Sequence, residues 1–482
     1  MEHRAKAEFA RVMDYFQAIC AIPHPSGDTE ALAGFCEAEA RAHGLECRRD
    51  QWGNVLLRRP ADPGCEGAPP VVLQAHLDMV WICRPGWTGR HPVLVREGDI
   101  LRAEGSTLGA DDGIGAAYLL ALLTQKEGRF PALEGLLTAD EETSMEGAAG
   151  FDAAWLRGRR MINLDSEEEG VLLAGSAGGV RLEASGQWDQ ESRTLRQGVR
   201  VTLTLDGLEG GHSGTDIHKG RGNAIRVMAR LLDELRGRVP ILVDSWTGGS
   251  FSNAIAGSAQ CRLAVERGDL PLVEELARQC QERTRAELNR PQAAVSCRAE
   301  ELTGRAVGLG GRPLEALLDF VQRVPDGVRR MDPDLPDQVA VSSNLGVLAL
   351  SEGSCRLQFA LRSSLPGEKE RLAADISALA GADGLRVETE GDYPAWTYRP
   401  DSPLRRTACQ VYERLTGQPM AVTTIHAGTE CGLFAAKLPG LDCVSMGPDM
   451  TGIHSVEERL SVSSAGRVWD YLTALLEELG RD

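Results

Sequence analysis

Residues 106–123 read STLGADDGIGAAYLLALL, and the fold turns on how they are understood. An acidic pair, Asp111 and Asp112, is bracketed by glycines and runs into an apolar stretch with helical spacing. Glycine lets the backbone turn sharply and lets other groups come close. A carboxylate fixed at such a turn can reach across a cleft instead of pointing into solvent. A polar turn ahead of a core helix is the ordinary reading of the same letters. The segment gains meaning only beside others like it.

Working outward, residues 54–58 (NVLLR) and 71–80 (VVLQAHLDMV) read as strands, the second apolar until His76 and Asp78. Residues 133–139 (LEGLLTA) read as another buried strand that runs into Asp140, Glu141 and Glu142. A short strand over 161–164 ends on Asp165, followed by SEEEG. Junctions between residues 76 and 165 therefore repeatedly deliver carboxylate or imidazole. In α/β sheets, active sites gather at strand ends. Strands alternating with helices imply a doubly wound, mainly parallel sheet. Residues 1–49 read as one or two amphipathic helices broken at IPHPSGD, where His24 shapes a turn between two prolines.

The pattern changes near residue 183. From there to about 395, alternating strands and amphipathic helices indicate an inserted α+β domain, after which the first style resumes. The expected division is a catalytic domain over 1–182 and 397–482, interrupted by an α+β insert over 183–396.

Composition narrows the function. A formal net charge of -18 argues against nucleic acid or anionic membranes as partners and leaves carboxylates available for cations. Apolar runs fall short of the roughly 18 to 20 residues of a membrane span. The opening MEHRAKAEFARVMDYF lacks the apolar core of a secretion signal. Twelve cysteines without a C-x-x-C pair suit reduced thiols, so a cytoplasmic location is expected. Cys431 is better read as a small core residue than as a nucleophile.

The candidate ligands are His76, Asp111, Glu142, Asp165 and His454, the last in GPDMTGIHSVEE. Each has a structural reading as well: a hydrogen-bonded core histidine, or a solvated acidic turn. Together, their nitrogen and oxygen donors suit Zn2+, and also Co2+ or Mn2+. Two ions about 3.5 to 4 Å apart need a shared ligand, and a carboxylate is the natural choice. A water between them is acidified, and a nearby carboxylate that ligates neither ion can take its proton. Glu141 is that candidate. Asp78, two residues from His76, can orient the imidazole.

Seven segments carry a resemblance: HLDMV (76–80), LGADDGIG (108–115), TADEET (138–143), NLDSEEEG (163–170), GGHSGTDIHKGRGNA (210–224), IHAGTECGLF (425–434) and MGPDMTGIHS (446–455). In this order they resemble the peptidase M20 metallopeptidases, and within them the aminoacyl-histidine (Xaa-His, beta-alanyl-histidine) dipeptidase branch. The resemblance implies that His76, Asp111 and Asp165 hold one metal and that Asp111, Glu142 and His454 hold the other. It implies Glu141 as general acid/base and Asp78 as the aspartate behind His76. The insert becomes a lid and dimerisation domain of a homodimer. Its His212 would reach a partner subunit's site and polarise the scissile carbonyl. Asn253, Arg362 and Gly428 would hold the substrate's carboxylate end, Arg through its two-pronged fork. The implied reaction is hydrolysis of small unblocked dipeptides, Xaa-His in particular.

The sequence departs from the branch at Asp112, where asparagine is expected, and at IHSVEE, which lacks a flanking proline. An aminoacylase or carboxypeptidase of the same superfamily shares the ligand set and is the alternative. A serine hydrolase would rest on Gly211-His212-Ser213-Gly214, but Thr215 stands where the G-x-S-x-G elbow needs glycine. A non-catalytic scaffold is disfavoured by the intact ligand set together with Glu141.

Overall fold

The two strands at the heart of the first sheet are buried from end to end. In chain order its strands are β1 (Glu46–Arg49), β2 (Val55–Arg59), β3 (Val71–His76), β4 (Leu133–Thr138), β5 (Arg160–Asn163), β6 (Val171–Ser176), β7 (Ala421–Ile425) and β8 (Asp442–Ser445). Their spatial order is β1-β2-β4-β3-β5-β8-β6-β7. Pairing is parallel through the middle, β4-β3-β5-β8, and antiparallel for β1-β2, β2-β4 and β8-β6. Every residue of β3 and β4 is buried, as expected where helices cover both faces. The computed structural model describes residues 2–126 and 128–481.

Helix Ala110–Leu123 is buried along its whole length. Gly135 on β4 makes room for it, since a Cβ there would stand 2.5 Å from Leu123 Cδ1. Tyr118 stacks on Trp469 of the closing helix Val462–Leu479 and donates to the Ala465 carbonyl at 2.8 Å.

The N-terminal segment holds helices Glu2–Cys20 and Glu30–Ala42, but β1 lies in a stretch expected to be helical. ECRR has alternating exposure and pairs at the sheet edge with β2, so register with a neighbour decides its state.

Contacts divide the chain into two compact units. One runs to Ser176 and includes Trp396–Thr424 and the chain from Thr429; the other comprises Ala177–Ala395 with Ile425–Gly428. The second unit is built on an antiparallel sheet of order Ala294–Glu301, Gly198–Asp206, Ala259–Glu266, Leu242–Gly248, Val339–Ser351, Ser354–Ser363, Gly178–Gln187 and Arg386–Tyr393, with Gly327–Met331 beside Val339–Ser351. Helices such as Ala224–Arg236 and Gly311–Arg323 cover it, with Trp246, Phe320 and Phe359 in its core. No described helix is long and apolar enough to cross a membrane.

Candidate metal centre

The parallel strands fix the first ligands. In register, His76 faces Thr138 across β3–β4, and Gln74 faces Asn163 across β3–β5. His76, the Glu141–Glu142 turn and Asp165 therefore emerge at one edge of the sheet. His76 Nδ1 donates to the Asp78 carbonyl at 2.9 Å, which leaves Nε2 to act as a ligand. That Nε2 lies 3.1 Å from Asp111 Oδ1 and 3.5 Å from Asp165 Oδ1.

From the other side comes His454, in a left-handed backbone conformation with φ +56°. Its Nε2 is 3.2 Å from Asp111 Oδ2 and 2.8 Å from Glu142 Oε2. Asp111 thus presents one oxygen to each histidine. The structure brings all five expected ligands together.

Asp112 joins them unexpectedly. Ligand atoms of His76, Asp112 and Asp165 lie within 4.8 Å of one another, as do those of His76, Asp111 and Glu142. Both Asp112 oxygens already accept main-chain N–H groups, from His76 at 3.1 Å and Gly115 at 3.2 Å. The donor set, imidazole nitrogen and carboxylate oxygen at these separations, fits divalent cations, and Asp111 has the geometry of a shared ligand.

Charge is sorted within the site. Burial opposes ionisation of Asp111, but hydrogen bonds to His454 and His76 hold its carboxyl well below the ordinary range. Bonds to Asp111 and Glu142 push His454 up to about 10, and burial pushes Asp165 up to about 7. Glu141 is held well above the carboxylate range, first by burial and then by Asp165, Glu430 and Glu142. Asp78, buried yet held at about 2 by its bonds with His76, Ser26 and Glu141, accepts the N–H of Glu141 at 2.9 Å and of Glu142 at 3.2 Å. It braces the turn that carries both glutamates as well as the imidazole.

Beneath the ligands runs a buried polar ladder. Asn163 donates to Gln74 at 2.7 Å, and Gln74 donates to Glu430 at 2.6 Å. Thr138 donates to the same Glu430 oxygen at 2.6 Å. Each strand residue of the ladder lies a few positions before a ligand or Glu141. Burial pushes Glu430 up to about 8.

The sequence profile of the family described as Peptidase family M20/M25/M40 matches residues 72–478. The chain belongs to peptidase family M20. The cytosol non-specific dipeptidase of Escherichia coli (strain K12) is 35% identical over 471 residues, 97% of each chain. The crystal structure of aminoacylhistidine dipeptidase from Vibrio alginolyticus superposes with a TM-score of 0.90 at 33% identity, covering 97% of this chain and 96% of that one. A succinyl-diaminopimelate desuccinylase of Xylella fastidiosa (strain 9a5c) is 30% identical over 143 residues, 30% of this chain and 37% of that one.

In the second unit of this M20 chain, the expected substrate residues also lie together. Arg362 is buried; its Nη1 donates to Tyr393 Oη at 2.9 Å and its Nη2 stands 3.4 Å from His212 Nε2. The Asn253 carbonyl accepts the N–H of Ser213 at 2.8 Å, which puts its loop beside His212. Gly428 packs on the Tyr393 ring, where a Cβ would lie 2.6 Å from Cε2. Burial, reinforced by Arg362, lowers the His212 pKa and keeps the ring neutral. Sequence reading missed Tyr393 and His426, whose Nε2 is 2.7 Å from Ser342 Oγ. Ser213 is 1% exposed and its hydroxyl has no partner among the described residues, which leaves a serine nucleophile without a base. Cys431 is fully buried, as a core residue should be.

Proposed function

We propose that this protein is a two-metal dipeptidase that hydrolyses unblocked dipeptides, Xaa-His dipeptides of the carnosine type among them. The observation that carries the reading is Asp111, whose two oxygens face His76 and His454 separately. Similarity along nearly the full length to two dipeptidases supports the substrate class. An aminoacylase reading draws on a relative that matches less than a third of the chain.

His76, Asp111 and Asp165 would hold one divalent ion and Asp111, Glu142 and His454 the other, Zn2+ being best suited to this donor set. When bound, the ions supply Lewis acidity that polarises the scissile carbonyl and acidifies water. Glu141, raised in pKa and ligating neither ion, takes the proton from water and delivers it to the leaving amine. Asp78 keeps the His76 tautomer and the Glu141 turn in place.

Arg362 receives the substrate's carboxylate, with Tyr393, Gly428 and Asn253 shaping that end. Thr215 N–H approaches His212 Nδ1 at 3.3 Å; with Nδ1 accepting, the ring proton sits on Nε2 and would serve a developing oxyanion once Arg362 Nη2, 3.4 Å away, turns to the substrate's carboxylate. Because His212 and Arg362 touch within one chain, both are supplied by the same subunit, whichever site they serve. By resemblance the second unit also forms a homodimer, and the protein works in the cytosol. Sedimentation at micromolar concentration tests the dimer, and a monomer would refute it.

A panel of Xaa-His dipeptides, other dipeptides, tripeptides and N-acyl amino acids tests the function. Turnover of free dipeptides is expected, and preference for N-acyl substrates would overturn the assignment.

A further inference from the structure

Glu458 follows His454 by four positions in IHSVEERL, and only 3% of it is exposed. Its carboxylate meets a distant part of the chain. Oε2 accepts the N–H of Leu108 at 2.7 Å and of Gly109 at 3.0 Å; Oε1 accepts that of Ala110 at 2.8 Å and, longer, that of Asp111 at 3.4 Å. Successive main-chain N–H groups converging on one anion form a cradle, here at the start of the buried helix Ala110–Leu123. Gly109 makes it possible. Its φ of +72° turns the neighbouring N–H groups to one side, and a Cβ would stand 2.8 Å from Met79 Sδ.

We propose that Glu458 is the positioning residue that sets the separation of Asp111 from His454, and so the affinity of the metal position formed by Asp111, Glu142 and His454. One side chain ties the two segments that carry these ligands. His454 sits on a loop with a left-handed backbone, and Asp111 has non-helical angles of φ −83° and ψ 106°. Neither has the dihedral angles of a regular helix or strand. His76 and Asp165, by contrast, follow parallel strands that Glu458 does not touch. Asp111 belongs to both metal positions, but only one of them also draws on His454, so loss of the cradle disturbs two ligands of that position and one of the other. Ligand-supporting residues of this kind change metal affinity by about 10- to 100-fold.

The inference rests on the two-metal reading, and the test separates them. Metal-free wild type, Glu458→Gln and Glu458→Asp are titrated with Co2+ by calorimetry and by visible absorption, with thermal melts alongside. Glutamine keeps the shape but turns an amide N–H₂ toward N–H donors; aspartate keeps the charge but is too short for the cradle. Wild type is expected to bind two ions per chain. The variants are expected to bind the ion at Asp111, Glu142 and His454 about 10- to 100-fold more weakly, with a smaller loss at the other position. Excess metal should restore kcat with KM unchanged, which a general folding defect would not allow. Two ions bound at wild-type affinity, or equal weakening of both, would overturn the inference, and Glu458→Asp decides if Glu458→Gln does not fold. Fewer than two ions on wild type would refute the two-metal reading itself.

Discussion

Glu141→Gln separates proton transfer from every other property of the site. Glutamine has the shape of glutamate but cannot carry a proton between water and a leaving amine. A positioned general acid/base contributes about 10²- to 10⁴-fold, so kcat should fall by that factor, about 3 to 5 kcal/mol in the barrier. Glu141 belongs to neither ligand group, and its contact with Asp78 is made by its main-chain N–H, which survives the change. Metal content by mass spectrometry should stay at the wild-type value.

Stability gives a third, opposite reading. The folded-state pKa of Glu141 is raised above its ordinary 4.5, so the ionised carboxylate is disfavoured by folding. Its contribution is fully present below about 4.5 and is lost as pH rises. Metal-free Glu141→Gln should therefore melt no lower than wild type at pH 7.5, with the difference vanishing near pH 4. A kcat within tenfold of wild type, or a loss of metal, would refute the assignment of Glu141.

Arg362→Lys should lower kcat/KM about 10- to 100-fold, mostly through KM, because a charge-assisted hydrogen bond is worth about 1.5 to 3 kcal/mol; unchanged KM on dipeptides would remove Arg362 from the substrate's carboxylate. His212→Ala should reduce kcat about 10²- to 10³-fold with KM little changed. Mixing His212→Ala with Arg362→Ala should restore no activity if both residues serve one site from the same subunit, and recovery on mixing would separate them. Metal uptake should release protons at pH 7, since His454 is held up to about 10 and must lose its proton to ligate; calorimetry in buffers of different ionisation heat would show this, and buffer-independent heats would contradict it. In the metal-free protein the same pairing stabilises fully below the ordinary imidazole value of 6.5 and is lost as pH climbs through about 10, so its melting temperature should fall across that window.

The sequence exposes the parts of this site that break a rule. A buried strand has no use for charge, so His76, Glu141, Glu142 and Asp165 at strand ends were legible from hydropathy alone. Their partner His454 was a candidate by residue type in GPDMTGIHSVEE, but its pairing with them, like His212, Asn253, Arg362 and Gly428, was legible only through resemblance, because loops carry no periodicity. Glu458 was invisible for a different reason. Its partners are main-chain N–H groups, which leave no trace in residue identity, and VEER looks like a solvated turn. Glu430 was hidden likewise, its meaning lying in Gln74 and Thr138 on other strands. The edge strand Glu46–Arg49 was read as helix because ECRR has no apolar alternation, and only pairing with Val55–Arg59 makes it a strand.

Why the carboxyls titrate apart follows from what each faces. Asp78 and Asp111 meet hydrogen-bond donors and histidines, and stay anionic despite burial. Asp112, Asp165, Glu141 and Glu430 meet burial and other carboxylates, and are pushed upward. Two histidines cannot balance so many acids, so further positive charge, as protons or divalent cations, has to come from outside the side-chain set. Cations at the two histidines would favour ionisation of the carboxylates that touch them. Glu430, a layer below and without a histidine partner, would be affected least. Under the proposed mechanism the arrangement would divide its acids into ligands, whose protons would yield to metal, and a proton carrier in Glu141, which belongs to neither ligand group. That division, more than the number of acids, is what a hydrolytic centre needs: a group basic enough to take a proton from water, next to groups that have already given theirs up.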